Sequence, residues 1–372
     1  MATYGQINAE NITSSTGGVI SPNITSLRNR IINGAMVIDQ RDAGASVTIT
    51  NTSAGTYVLD RWQGYGTVAS KFSIQQNAGS VTPPIGYINY LGVTSASAYS
   101  VGSTDRFQVA QAIEGLNIAD LAWGTANAKT VTLSFWVYSS LTGSFGGSLG
   151  NQAGNYQYPF SYSIPVANTW TQINVTITGA TSGTWLTTNG VGVYVLFGLG
   201  VGSSLSGTAG AWTTSTVYVP TGSVSVVGTN GATFYITGVQ LDVGTQTTSF
   251  DYRPYGTELA LCQRYYQIGM YTGKQYQSLG LSSNQSTTSA ETIYQFKTSM
   301  RSPPTLSYAN GSYYFVYANS TTYAFSSLTQ DSNYLNTESS SISATISGAT
   351  TGQAGSIRQS NVLGFVAFSA EL

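Results

Sequence analysis

Histidine is absent from the 372-residue chain, and cysteine occurs once, at Cys262. Without histidine, the Ser-His-Asp and Cys-His arrangements of nucleophilic catalysis are impossible, and zinc and non-haem iron sites lose their usual ligand. A single cysteine also excludes an intrachain disulfide framework and a cysteine cluster for a metal. We therefore expect Cys262 to be a buried apolar residue rather than a nucleophile, and we expect no cofactor.

Charge is scarce as well. Asp, Glu, Lys and Arg make up 7% of the chain, against roughly 25% in an average soluble domain. None of them occurs from Thr130 to Gln240, so this stretch supplies no titratable group for acid–base catalysis. The net charge of −1 gives no electrostatic footprint for nucleic acid. No apolar run suits a signal peptide or a membrane span, which predicts a soluble protein made in the cytoplasm, without membrane insertion.

Short segments rich in β-branched and aromatic residues are abundant, and most alternate apolar with polar residues. This period of two is typical of strands with one buried face. Clusters of Gly, Asn, Ser and Pro separate the segments at loop length. Because no sustained helical period intervenes, the pattern predicts an all-β protein whose larger part is an antiparallel sandwich. In that part the segments are ASVTIT, KFSIQQ, RFQVAQAI, TVTLSFWVYSS, TQINVTITG, VGVYVLFGL, STVYVP and ATFYITGVQLDVG.

Four regions follow from this pattern. Residues 1–35 lack a sustained period and predict an extended arm that a partner holds. Residues 36–256 form the sandwich, 257–268 a short helical junction, and 269–372 a smaller, Tyr-rich β domain. In the last region the strand segments are ETIYQFKTSM, PTLSYAN, SYYFVYA, TYAFSSL, SISATISG and NVLGFVAFSAEL.

The segment SFDYRPYGTELALCQRYYQ concentrates charge and aromatic residues at the predicted boundary. Leu259, Leu261, Cys262 and the two following tyrosines are spaced as one apolar face of a short helix, with Thr257 as its expected cap. Scarce charges at such a joint fix orientation, because ion-pair geometry is specific. We expect an interdomain clasp in which two arginines pair with nearby acids: Asp242, Asp251, Arg253, Glu258 and Arg264.

Several segments, in this order, resemble a family of bacteriophage virion proteins: tail-fibre and head-fibre proteins with a jelly-roll domain similar to carbohydrate-binding modules. The resemblance covers about residues 30–267, and Asp242 stands where the family usually has Glu. After Ile268 only FKTSMRSPPTLSY resembles a recurrent fibre-tip segment. The segments that carry it are RIINGAMVIDQRDAGASVTI, YVLDRW, VTLSFWVYSSLTGSFGGSL, NTWTQINVTITGATSGTW, ITGVQLDVG and FDYRPYGTELALCQRYY.

Aromatic residues in loops rich in Gly and Asn are the candidates for carbohydrate binding. A flat ring stacks on a sugar face while neighbouring amides and hydroxyls bond the sugar hydroxyls, and no charge is required. The alternative is that these rings fill the core or a subunit interface. The candidates are Tyr156, Tyr158, Tyr162, Trp185 and Trp212.

Asp60, Arg61 and Trp62 follow an alternating strand. In a sugar-binding interpretation Trp62 stacks on a pyranose and Asp60 bonds hydroxyls. In the structural interpretation, which we favour, Trp62 lies in the core and Asp60 pairs with Arg61 or Arg106.

Acidic residues give little support for a metal site or a glycosidase. Jelly rolls of the resembled type often hold a structural calcium. Because no dense acidic loop occurs in this sequence, we predict no metal site, with a structural calcium as the alternative that the resemblance implies. Glycosidases need two suitably spaced carboxyl groups. Arginines beside the candidate pairs would keep both members ionised, which predicts no enzymatic activity. The acids considered are Asp39, Asp42, Asp60, Asp242, Asp251 and Glu258.

The resemblance implies a structural bacteriophage protein on the virion surface, a homotrimeric tail fibre that adheres to host cell-surface polysaccharide. Residues 1–35 would attach it to tail or capsid proteins, and the C-terminal domain would be the tip. The alternative is a capsid-attached head fibre or a decoration protein. Trimerisation also agrees with the gain in avidity when several weak sugar sites act together.

Overall fold

A computed structural model describes residues 27–311, 314–318 and 320–372, together with the backbone of 12–13 and 19–20. The arm predicted over 1–35 therefore falls largely outside the described residues. Within it, strands β1 (Ile12–Thr13) and β2 (Val19–Ile20) pair antiparallel. Residues 29–36 lie inside the sandwich rather than apart from it, with only Arg30 half-buried and the others buried.

The larger domain is the predicted antiparallel jelly-roll sandwich. Two parallel two-residue strands, β14 (Ser206–Gly207) and β15 (Val219–Pro220), flank it. Its twelve main strands are β3 (Val47–Thr48), β4 (Thr56–Leu59), β5 (Trp62–Gly66), β6 (Phe72–Gln76), β7 (Leu91–Ser95), β8 (Arg106–Glu114), β9 (Val131–Ser139), β10 (Gly143–Gly150), β11 (Gln157–Ile164), β12 (Thr171–Ile177), β13 (Val191–Val201) and β16 (Thr233–Val243).

These strands form two six-stranded sheets. Sheet A has the order β11-β10-β13-β8-β5-β4, and sheet B has the order β12-β9-β16-β7-β6-β3. Alternate residues of both sheets point inward and make one continuous core, which includes Trp62, Phe72, Phe107, Phe135 and Phe197. The alternation leaves the other row of each sheet A strand on its outer face.

The hairpin of β10 and β11 was not predicted, because its Gly, Ser and Asn residues favour a loop. Inward residues of the two strands pair directly across it, as in Phe145 with Tyr162 and Leu149 with Tyr158. Gly147 makes room for this packing, since a Cβ there would lie 2.1 Å from the Leu196 carbonyl oxygen. Its missing side chain lets two neighbouring strands and a core ring approach closely.

The predicted helix at the junction is present, with different bounds. Helix α1 spans Tyr255–Gln263, so it begins two residues and ends five residues earlier than the predicted junction. Thr257 is not its cap, because the Pro254 carbonyl already accepts from the backbone N–H groups of Thr257 and Glu258. Cys262 is fully buried, as predicted, against Ile32 and Ile38 of the segment that precedes strand β3.

The C-terminal domain is a smaller antiparallel β structure with its own core, which includes Met270, Tyr314 and Phe368. It contains a three-stranded sheet of order β17-β26-β20 and a seven-stranded sheet of order β22-β21-β25-β18-β19-β24-β23. The strands are β17 (Tyr266–Met270), β18 (Ser278–Asn284), β19 (Ser289–Gln295), β20 (Thr305–Tyr308), β21 (Tyr314–Ala318), β22 (Thr321–Phe325), β23 (Leu328–Gln330), β24 (Ser339–Thr345), β25 (Ala354–Gln359) and β26 (Val366–Ser369).

Candidate functional site

A groove of about 330 Å³ lies on the outer face of sheet A. Its floor comes from strands β5, β8, β10 and β13, and the loops before β4 and before β11 form its walls. The volume is at the lower end of the range for ligand pockets in proteins. It is lined by Ser53, Ala54, Gly55, Gln63, Tyr65, Arg106, Gln108, Ser148, Gly150, Asn151, Gln152, Ala153, Gly154, Gln157, Tyr194, Leu196 and Tyr218.

The period of two in each strand places the floor residues. In β8, Phe107 and Val109 point into the core, so Gln108 between them points outward. Tyr65 of β5 is directly opposite Gln108. Tyr194 of β13 has Gly150 and Ala112 as its cross-strand neighbours. Because both neighbours are small, the half-buried Tyr194 ring is left uncovered at the groove.

Arg106 is the only charged residue among those that line the groove. Its guanidinium carbon lies 4.5 Å from the centroid of the Tyr65 ring and 4.1 Å from that of Tyr218. Both distances lie within the range of cation–π contacts, which favour the charged guanidinium at this position. Burial raises the pKa of Tyr194, and nearby Arg106 opposes this shift.

Carboxamides supply most of the polar atoms. Gln157 is already engaged, since its side chain accepts from the Ser148 hydroxyl and donates to the Gly154 carbonyl. Gln108 differs, because its Oε1 is buried and has no hydrogen-bond partner. Since buried polar groups are nearly always paired, the acceptor of Gln108 is available to a hydroxyl of a bound molecule. None of the lining residues is Asp or Glu.

The carbohydrate candidates named from the sequence do not line this groove. Tyr158, Tyr162 and Trp185 are buried in the sandwich core, so their expected exposure in loops is wrong. Tyr158 and Tyr162 point inward from β11, and the Trp185 indole donates to the Ser182 carbonyl at 3.0 Å. Tyr156 and Trp212 are half-buried and stack on each other with centroids 5.4 Å apart. Close packing of rings beneath the loops explains their burial.

Sequence reasoning missed the groove residues Gln63, Tyr65, Arg106, Gln108 and Tyr194. The signal was present in the alternation of WQGYG, RFQVAQAI and VGVYVLFGL, whose outward positions carry these side chains. What the alternation does not show is that three separate strands lie side by side. That juxtaposition depends on the strand order of sheet A.

The predicted clasp residues are brought together only in part. Arg253 lies 3.3 Å from Glu258 and 3.9 Å from Asp251. Arg253 also donates to the Asn29 and Ile31 carbonyls, so it joins the segment that precedes strand β3 to helix α1. Within the described residues Asp242 forms no ion pair with an arginine, and it accepts instead from the Gln240 amide and the Thr248 hydroxyl.

Arg264 pairs with Glu114 of β8 rather than with the acids expected. Its Nη2 and Nε donate to the two carboxylate oxygens at 2.6 and 2.9 Å, and the Tyr265 hydroxyl donates to the same group at 2.6 Å. Glu114 lies on the outer face of sheet A, six residues beyond Gln108. The junction that leads into the C-terminal domain is therefore attached to the sheet that carries the groove.

A second unpredicted network is centred on Glu371. Its carboxylate pairs with the buried Arg61 and with Arg41, the latter at 2.7 Å. Arg301 binds the Ala370 and Glu371 carbonyls and the Asn189 carbonyl of the sandwich. These contacts join the end of the chain to the sandwich.

Asp60 and Trp62 follow the structural interpretation, with one correction. Trp62 is fully buried, and its indole donates to the Asn33 carbonyl at 3.0 Å. Asp60 pairs with neither Arg61 nor Arg106, but accepts from the backbone and side-chain nitrogens of Gln40 at 2.7 and 2.6 Å. Burial raises the pKa of Asp60 to about 6.

Two features are absent from the described residues. No group of three or more His, Cys, Asp or Glu side chains in them is placed to hold a metal ion. No helix in them is long and apolar enough to cross a membrane. An open depression of about 700 Å³ lies on the seven-stranded sheet, beside the exposed Leu281, Ile293 and Tyr334.

Among known proteins, no family model and no curated protein matches the sequence. Solved structures that resemble the chain include the enzymatically active domain of tailspike protein 4 of bacteriophage CBA120. That match has 13% identity and a TM-score of 0.33, and it covers 58% of this chain and 22% of the tailspike chain.

Carbohydrate-binding domains are similar too. The N-terminal cellulose-binding domain of Cellulomonas fimi β-1,4-glucanase C has 15% identity and a TM-score of 0.27, over 50% of this chain and 90% of that domain. TmCBM61, solved with β-1,4-galactotriose, has 8% identity and a TM-score of 0.26, over 49% and 88%. Likenesses at these TM-scores carry no information on ligand or activity.

Proposed function

We propose that this chain is a non-enzymatic structural protein of a bacteriophage virion, a homotrimeric tail fibre that adheres to host cell-surface glycans through the groove on sheet A. The observation that carries the glycan part is the pairing of an uncovered ring, Tyr194, with an unpartnered buried acceptor, Gln108, on adjacent strands. A ring stacks on the apolar face of a sugar, and a carboxamide bonds its hydroxyls.

The phage part is supported by the ordered motifs between residues 30 and 267. The groove favours binding over hydrolysis, because its lining residues include no carboxyl pair for glycoside cleavage. A single groove of this size implies weak binding, which three copies on one fibre would strengthen through avidity.

A glycan array, followed by calorimetry on its hits, tests the groove. Replacing Tyr194 with alanine is expected to weaken binding about tenfold or more, as for the loss of an aromatic anchor. Tyr334→Ala is the matched control, because it removes an exposed tyrosine from the depression on the C-terminal domain. If Tyr334→Ala abolishes binding while Tyr194→Ala does not, glycan binding belongs to the C-terminal domain and the groove proposal is wrong.

Cryo-electron microscopy of the intact virion tests the assembly. Three copies projecting from the tail, with residues 269–372 outermost, would support the fibre. Copies seated on capsid hexamers or vertices would make the chain a head fibre or a decoration protein instead. A single 39.2 kDa species in sedimentation at micromolar concentration would contradict the trimer.

A further inference from the structure

Among the nine arginines of the chain, Arg106 stands apart. Each of the other eight donates a side-chain hydrogen bond to an acceptor in the described part of the chain. The Arg106 guanidinium donates to none there, although it is half-buried. Its neighbour Asp105 does not serve as a counter-ion, because that carboxylate accepts from Thr67, Tyr99 and the Gly102 N–H.

Two aromatic rings lie against Arg106 without satisfying its N–H donors. Its guanidinium carbon lies over the Tyr65 and Tyr218 rings, at 4.5 and 4.1 Å from their centroids. The N–H donors, which form a planar fork, are therefore available to a ligand in the groove. That fork matches a carboxylate in bidentate geometry, and such charge-assisted bonds are about twice as strong as neutral ones.

The position of this charge adds a second argument. Arg106 and Gln108 follow one another on the outer face of β8, and both line the groove beside Tyr194. No acidic side chain lines the groove to neutralise the arginine. In a chain that is 7% charged, an unpaired cation beside an unpartnered carboxamide oxygen in the same groove is well placed to bind a ligand.

We infer that the groove selects an acidic glycan, and that Arg106 binds the carboxylate of a uronic acid or sialic acid residue. Tyr65 and Tyr218 hold the guanidinium in place, Tyr194 stacks on the neighbouring sugar, and Gln108 accepts from a hydroxyl. This assignment rests on the proposed function, since it names the ligand class of the same groove.

Matched pairs of oligosaccharides test the carboxylate. Isothermal titration calorimetry would compare oligogalacturonate with its carboxyl-reduced product, and oligosialate with its carboxyl-reduced product, so that the two sources of carboxylate are separated. The native chain is expected to bind at least one acidic member about ten- to a hundredfold more tightly than its reduced partner, the range expected for a hydrogen bond to a charged group. Adding salt should weaken the acidic complex only.

Variants assign the effect to the arginine. Arg106→Gln should weaken binding of the acidic member more than binding of the reduced member, so that the preference between them is lost. Arg106→Lys keeps the charge without the fork and should retain part of the preference, which also guards against a folding defect. Arg358→Gln is the control, because Arg358 stacks on Tyr317 at 4.8 Å, away from the groove.

Different binding results would contradict different parts of the proposal. Equal binding of acidic and reduced members, or no binding of either acidic oligomer, overturns the acidic-glycan assignment. Equal loss of both members in Arg106→Gln also overturns it, since the arginine would then only support the groove. If the chain prefers a sulfated galactan to both carboxylate-bearing oligosaccharides, the group that Arg106 binds is not a carboxylate. Binding of any glycan that Tyr194→Ala leaves unchanged instead contradicts the proposed function itself.

Discussion

Replacing Glu371 with glutamine is expected to lower the free energy of unfolding by about 3–5 kcal/mol, the cost of leaving a buried charge unpaired. The Arg61 side chain is 1% exposed and that of Glu371 is 7% exposed. A surface ion pair would contribute about 0–1 kcal/mol. Because both partners are buried here, we expect the larger loss of about 3–5 kcal/mol. Glutamine keeps the shape of the side chain, so the change removes charge rather than volume.

Urea denaturation with two probes measures this effect. All six tryptophans lie between residues 62 and 212, within the sandwich, so their fluorescence follows that domain alone. Far-ultraviolet circular dichroism follows both domains. In the native chain the two transitions should coincide, because the Glu371 and Glu114 contacts couple the domains. In the Glu371→Gln variant they should separate, which marks the loss of two-state behaviour.

Glu338→Gln is the matched control, since Glu338 is an exposed glutamate of the same domain that accepts from Ser299. It should change the free energy of unfolding by no more than about 0.5 kcal/mol. A Glu371→Gln variant that unfolds like this control, with coincident probes, would refute the assignment of the Glu371 network as the joint.

Four further predictions concern single side chains. Burial raises the pKa of Asp60 from 3.8 to about 6 in the folded chain, so its contribution to stability is full below about pH 4 and lost as the pH rises through 6. Urea titrations of Asp60→Asn over this range should lack this pH dependence. Tyr162→Phe should raise the free energy of unfolding by about 1 kcal/mol and leave glycan binding unchanged, because the Tyr162 hydroxyl is buried without a partner; a loss of affinity would contradict its place in the core. Gly147→Ala should lower stability by about 1–3 kcal/mol in the same assay, since its Cβ would strike the Leu196 carbonyl. Cys262 should react with a thiol reagent only after unfolding, because burial raises the pKa of its thiol and blocks access; rapid labelling of the folded protein would show that the junction opens.

Alternation of apolar and polar residues predicted the fold class and most sandwich strands, because a half-buried strand must show that period. It failed at β10 and β11, where small residues on the outer face make the sequence similar to a loop. The inward spacing of Tyr158, Phe160 and Tyr162 at every second position was the usable signal. Tyr158 and Tyr162 were instead predicted to lie in an exposed loop, which displaced the predicted site from the groove into the core.

Ion pairs were less predictable than strands. Arg253 and Glu258 are five residues apart, and their pairing was expected. Glu114 and Arg264 are 150 residues apart, and Arg61 and Glu371 are 310 apart. Local sequence carries no signal for such partners, because the chain fold alone brings them together.

The position of strand β8 determines how the sandwich would bear a force on a bound ligand. Arg106 and Gln108 face the groove at one end of the strand. At the other end, about 20 Å away at the usual rise per residue, Glu114 binds Arg264 and Tyr265, which lead into the C-terminal domain. Strands β5 and β13 pair with β8 on either side, and antiparallel hydrogen bonds run perpendicular to the strands. A force between a ligand held in the groove and the C-terminal domain would thus act along β8, in shear. Many hydrogen bonds would share that load at once, whereas a force that peeled the strand away would break them singly.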